Sequence, residues 1–281
     1  MKTLVVPTDF SSVSVNALNY AVDMAQAINA GIVILHVYNV PVSFTDGPVA
    51  PVTTVSIEEI KRTSEERLED IKMNLVKITS GKIQIYTEAR LGDTADELEQ
   101  LCKSVDPLAV VMGSHGATGL ERMIMGSTTL TTIRHLKCPV IVVPSGTTYH
   151  GIKRIGLACD FENVVKSTPV EYIKNIVREF GAELYVLNVR DNKEDEDVDD
   201  LDEATMDTAY LDAMLDDVKP TYVQLTGKHV VETINSFAEN NNLDLVMVIP
   251  KKHKFIDSLF HKSQSRELIT HAHIPIVSIH E

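Results

Sequence analysis

No stretch of this chain approaches the roughly eighteen consecutive apolar residues that a membrane span requires, so no helical crossing is expected. No signal peptide is expected from these residues either, because Pro7 and Asp9 interrupt the short apolar run after Lys2. Cysteine is scarce. Cys102, Cys138 and Cys159 are an odd number without the spacing of a disulfide framework, which predicts reduced, mostly buried thiols and a cytoplasmic protein. Basic residues are outnumbered, 26 Lys and Arg against 40 Asp and Glu, and the net charge of −14 makes nucleic acid and anionic membrane poor partners. Neither a CxxC pair nor an HExxH helix is present, and no Gly-x-Ser-x-Gly elbow stands in a strand-turn-helix setting. Ser114 and His115 are adjacent, but sequence neighbours do not make a positioned nucleophile and base. No catalytic residue and no dedicated metal site are expected.

What the chain does have is a glycine-spaced segment from Gly113 to Thr128, GSHGATGLERMIMGST, directly after the apolar run Leu108 to Met112. Gly113 is followed after two residues by Gly116 and after nine more by Gly126-Ser127. A strand that ends in such a loop and restarts as a helix suits a phosphate: glycines let backbone N–H groups approach an anion, and the new helix at Ser127 adds its positive end and unpaired amides. A tight turn is the alternative reading of glycines alone.

Length and composition, 281 residues with 44% hydrophobic, allow one large core or two ordinary ones. Internal repetition favours two. Leu4-Val5-Val6-Pro7-Thr8-Asp9-Phe10 returns as Arg154 to Phe161 with its Asp-Phe pair kept, Ile34-Leu35-His36-Val37 as Val186-Leu187-Asn188-Val189, and Cys138-Pro139-Val140-Ile141 as Ile274-Pro275-Ile276-Val277. Domains are expected over 1–145 and 151–281, with Pro144 to Gly151 as linker. Between Asp191 and Glu203 nine of thirteen residues are acidic, which reads as a solvated loop.

Each half alternates strands and helices. Expected strands are Leu4 to Val6, Ile32 to Val37, Ile83 to Thr87, Leu108 to Met112 and Val140 to Val143, with helices opening at Ser11 or Ser12, near Ile57, at Asp93 or Thr94, and at Ser127. Asn29 and Gly181 are suited to left-handed helix stops. Strands joined by helices run parallel with right-handed crossovers, so each half is a doubly wound α/β sheet whose ligands sit beyond the strand carboxyl ends where the winding reverses. Pro7-Thr8-Asp9 and Gly113 to Gly116 then face one another. The Asp9 carboxylate suits an adenine amino group or ribose hydroxyl, or a helix cap, or both; amides of Gly116, Ser127 and Thr128 would hold phosphates. His115 fits a phosphate, a ribose or the shaping of the turn, and Arg122 either supplies charge or stays solvated.

Pro-Thr-Asp after the first strand, Leu-His-Val closing the second, Val-Met-Gly-Ser-His-Gly followed by Gly-Ser, and Cys-Pro-Val-Ile-Val-Val together resemble the universal stress protein family across both halves, strongly in residues 1–145 and weakly in 151–281. The resemblance implies five-stranded parallel sheets of the adenine-nucleotide-binding type. It also implies ATP (or AMP or ADP) held through Pro7, Thr8, Asp9, the Val37 backbone, Met112, Gly113, His115, Gly116, Gly126, Ser127 and Thr128. A divalent Mg or Mn ion would ride on the phosphates, since no carboxylate cluster accompanies the loop. The function implied is a regulatory stress-response module; slow ATP hydrolysis, with His115 or Arg122 near the γ-phosphate, and a nucleotide-free assembly role are the alternatives. The apolar last strands invite edge pairing, and the resemblance implies that they pair within one chain as a pseudo-dimer, with a further homodimer left open.

The second copy departs at the glycines. Ile249-Pro250-Lys251-Lys252-His253 replaces Gly113 to Gly116, Lys262-Ser263 replaces Gly126-Ser127, and Cys159 replaces Thr8, so ATP is not expected there in the same mode. Five of the ten histidines, His253, His261, His271, His273 and His280, fall in the last 29 residues. His135 stands where His271 does in the other copy, so a shared structural role is expected in preference to zinc.

Overall fold

The computed structural model describes residues 2–39, 54–114, 126–160, 168–190, 208–250, 268 and 273–280. The N-terminal half comprises β1 (Thr3–Pro7), α1 (Ser12–Ile28), β2 (Gly31–Tyr38), α2 (Thr54–Ile78), β3 (Ile85–Leu91), α3 (Thr94–Val105), β4 (Ala109–Gly113), α4 (Ser127–His135) and β5 (Val140–Val143). The C-terminal half repeats the order with β6 (Arg154–Ala158), α5 (Val170–Phe180), β7 (Glu183–Arg190), helical residues 208–215, β8 (Thr221–Thr226), α6 (Val230–Asn240), β9 (Leu245–Val248) and β10 (Ile276–Ser278).

All ten strands form one sheet in the order β3-β2-β1-β4-β5-β10-β9-β6-β7-β8. Within each half every neighbouring pair is parallel. In the N-terminal half the winding reverses between β1 and β4, where Leu4 pairs with Ala109 and Val5 with Val110. The halves meet at β5 and β10, which pair antiparallel through Val142–Ile276, Ile141–Val277 and Val140–Ser278. These two strands are buried throughout, as the pairing of two apolar edges requires.

The alternation of side chains along each strand divides the interior into two cores, one per face. Leu4, Val6, Ile32, Ile34 and Val111 face the Ala17, Leu18, Ala21 and Ala25 stripe of α1 and Leu68 and Leu75 of α2. Val5, Val33, Leu35, Val110 and Met112 face Leu98 and Leu101 of α3 and Ile133 of α4. Both cores continue into the C-terminal half, through Ile155, Leu157 and Ile173 on one face and Val231, Ile234 and Val246 on the other.

The caps follow the sequence. Ser11 caps α1 by accepting from Ser14 N, Asp93 caps α3 by accepting from Ala95 N and Asp96 N, and Asn29 and Gly181 close α1 and α5 in the left-handed region. One strand differs from expectation: β3 runs to Leu91 rather than stopping at Thr87. Its last residues, Glu88-Ala89-Arg90-Leu91, are only partly buried because β3 is an edge paired on one side, so hydropathy does not mark its end. The segment expected as a linker is tied down. Asn16 Nδ2 donates to Pro144 O and Thr147 O, and the Tyr149 ring packs edge-on against Tyr20 at 5.3 Å.

Candidate functional site

The chain leaves β1 through a turn built almost wholly from its own hydroxyls. Thr8 N–H makes the last ladder bond, to Leu35 O at 2.8 Å. The buried Thr8 Oγ1 then accepts from Phe10 N at 3.0 Å and lies 3.1 Å from Ser14 Oγ. These bonds hold Phe10 at φ 65, a left-handed conformation that a bulky residue adopts only when its surroundings impose it. Of the two roles open to Asp9, the cap belongs to Ser11; Asp9 instead accepts from Ser11 N at 2.9 Å through Oδ1, with its side chain at the exposed rim.

His36 fixes this turn from β2. Its Nδ1 stands 2.8 Å from Thr8 O, and because a carbonyl only accepts, Nδ1 carries the proton. The ring packs on Phe10 at 4.3 Å, and the Arg67 guanidinium lies over the Phe10 ring at 3.9 Å. Burial lowers the His36 pKa from its ordinary 6.5; the bond to Thr8 opposes this, as does Asp9, while Arg67 adds to it. Sequence reading assigned His36 no role, and its proximity to Thr8 across 28 residues of chain leaves no local signal.

Val37 follows from the same register. Ile32 N–H donates to Gln84 O, just before β3, whereas Leu35 O accepts from Thr8, just after β1, so odd-numbered β2 residues turn their main-chain groups toward β1. At Val37 that strand has already ended at Pro7, and the Thr8 carbonyl is taken by His36. The Val37 N–H and C=O thus point to the β1 side of β2, beyond the end of that strand.

On the opposite wall, β4 ends at Gly113, where an added Cβ would lie 2.6 Å from Val13 Cγ1 and 3.1 Å from Val13 O. This glycine is required by the close approach of α1, independently of any anion. Ser114 N donates to Val143 O and Gly126 N to Ser114 O at 2.9 Å, which joins the two ends of the glycine loop. The buried Thr129 Oγ1 donates to Gly113 O at 3.0 Å and anchors the first turn of α4 to β4, a contact the sequence did not announce. Gly126 occupies the N-cap of α4 and provides no side-chain acceptor; Ser127 and Thr128 are exposed beside it. The N-terminus of this nine-residue helix therefore has no side-chain cap. Met112 is 5% exposed and spends its surface on the core under α3 and α4. His115, Gly116 and Arg122 lie outside the described residues.

The C-terminal half reproduces the frame of the turn. Cys159 N donates to Leu187 O at 2.9 Å and Asn188 Nδ2 donates to Cys159 O at 3.0 Å, as Thr8 and His36 do in the first half. The opposite wall differs. Ile249 stands where Gly113 does and packs against the core, and α5 starts at Val170 and has 11 residues where α1 has 17. Lys251, Lys252, His253, Lys262 and Ser263 lie outside the described residues. Among the described residues no three His, Cys, Asp or Glu gather to hold a metal ion, and no helix is long and apolar enough to cross a membrane.

The universal stress protein family profile matches residues 1–144 and again 151–280. A universal stress protein of Methanocaldococcus jannaschii is 31% identical over 142 residues, covering 50% of this chain and 81% of that protein. The crystal structure of a universal stress protein from Archaeoglobus fulgidus superposes over 99% of this chain and 98% of its own with a TM-score of 0.73 at 20% identity, a likeness of fold. A universal stress protein solved in complex with cAMP is 25% identical over 52% of this chain, with a TM-score of 0.35. With the profile matched twice along a duplicated doubly wound sheet, the chain belongs to the universal stress protein family as a tandem two-domain member.

Proposed function

We propose that the N-terminal half binds an adenine nucleotide, with ATP as the ligand of the complete site, and that the protein is a regulatory module responding to its occupancy. The observation that carries this reading is the Val37 main-chain pair pointing to the β1 side of β2, beyond the end of that strand. That pair suits the adenine edge, Asp9 suits a ribose hydroxyl, and the amides of Ser127 and Thr128 at the uncapped α4 suit the phosphates. In this arrangement Pro7, Thr8 and Gly113 shape the crevice, Met112 supports its floor, and His115 and Gly116 belong to the loop over the phosphates. A Mg or Mn ion would be carried by the phosphates together with water. The second half, with Ile249 in place of Gly113, takes no ATP in this way.

Calorimetric titration of the whole chain with ATP and magnesium tests the reading. Binding near one equivalent per chain is expected. Asp9→Asn, which keeps an acceptor for Ser11 N, should weaken affinity about tenfold or more, in line with the loss of a charge-assisted hydrogen bond. The counterpart Asp160→Asn should leave it unchanged. No binding at millimolar ATP, or two equivalents per chain, would reject the proposal.

A further inference from the structure

Cys102, near the end of α3, and Cys138, in the turn between α4 and β5, are reduced thiols whose sulfurs lie 3.2 Å apart. Both are half-buried against the core under α3 and α4. The C-terminal half supplies an internal comparison. The same two positions there, in α6 and before β10, are Ala238 and Ile274, packed against the same core. Apolar side chains therefore satisfy the packing, and a matched pair of thiols is not needed for it. Thirty-six positions separate the two cysteines, and the segment between them carries β4, the glycine loop and α4.

We propose that Cys102 and Cys138 form a reversible intramolecular disulfide when the protein meets a peroxide. The Cys138 sulfur attacks one peroxide oxygen, the O–O bond breaks, and the departing hydroxide takes a proton to leave as water, giving a sulfenic acid at Cys138. The Cys102 sulfur then attacks the Cys138 sulfur, the S–O bond breaks, and a second water leaves with the Cys102 proton. Two thiols and one peroxide thus become one disulfide and two waters, the sulfurs giving two electrons to the peroxide. Closing the sulfurs to about 2.05 Å asks for a shift of about 1 Å between a helix end and a turn. The order of attack follows from the shared hydrogen bond. The two sulfurs share one hydrogen bond at 3.2 Å; that bond holds the Cys138 thiol below the ordinary thiol value and, with burial second, pushes Cys102 up.

The test treats reduced full-length protein with hydrogen peroxide, traps remaining thiols with N-ethylmaleimide and maps the peptides. Reactive thiols should fall from three to one per chain, with a Cys102–Cys138 cross-linked peptide lighter by two hydrogens. The melting temperature should rise by about 5 °C, as expected of a bond closing a loop of this length, and return with dithiothreitol. The double variant Cys102→Ala/Cys138→Ile, which carries the second half's own pair, should keep its circular dichroism spectrum and lose both responses. Full alkylation of both cysteines after peroxide would overturn the proposal. So would sulfinate at either without a cross-link, thiol loss through Cys159 or between chains, or the same thermal shift in the double variant.

Discussion

His36 and Asn188 hold the same turn by the same bond, but only one of them titrates. Because the folded protein lowers the His36 pKa below 6.5, the unfolded chain binds the proton more readily between those two values. Stability from this residue is present above 6.5, and is lost as pH falls through that window. His36→Asn, borrowing the residue of the second half, should keep the bond to Thr8 and remove the loss. Melting curves from about pH 7.5 down to about pH 5.5 should converge or cross for the two proteins, with the wild type falling faster. Gly113 makes a second residue-scale prediction. Gly113→Ala should cost about 1–3 kcal/mol in chemical denaturation, because its methyl meets Val13, and adding Val13→Ala should recover part of that by removing the nearer atom. Asp9, Gly113 and Ser127 were singled out by residue type and spacing after a strand. His36 and Thr129 were not, since their partners lie 28 and 16 residues away and nothing local marks the contact. Gly113 has a second reason to be glycine that its spacing did not show, the close approach of Val13 in α1.

At the scale of elements, α4 trades helix stability against an open N-terminus. Gly126 sits at φ −62 and ψ 145, an N-cap conformation that any residue adopts, yet it offers the helix no acceptor. Gly126→Asp should therefore stabilise α4 by about 0.5–1 kcal/mol and at the same time place a charge where phosphate would bind. A raised melting temperature with ATP affinity reduced tenfold or more is the expected pair of results, measured by calorimetry on one preparation. Most element positions were readable because caps and left-handed stops are written in single residues, Ser11, Asn29, Asp93 and Gly181. The end of β3 was not, because an edge strand half open to solvent carries no apolar run. The described helix α5, 11 residues against the 17 of α1, also escaped sequence reading.

At the scale of the whole molecule, the antiparallel β5–β10 seam turns two five-stranded sheets into one of ten strands. Lys2 Nζ reaches Glu179 at 2.6 Å across the halves, and His280 Nε2 donates to Ile133 O from β10's end to α4. A fragment of residues 1–145 would expose the apolar edge Val140–Val143, and light scattering should find it self-associated through that edge. A stable monomer would show that the seam is dispensable. The direction of the seam has a consequence for anything that handles this protein. Strands on its two sides run oppositely, so the mouth above β1 and β4 opens at one rim of the slab while the altered mouth above β6 and β9 opens at the far rim. A macromolecule docked over the first cannot feel the second directly, and whatever passes between them must travel through the slab itself.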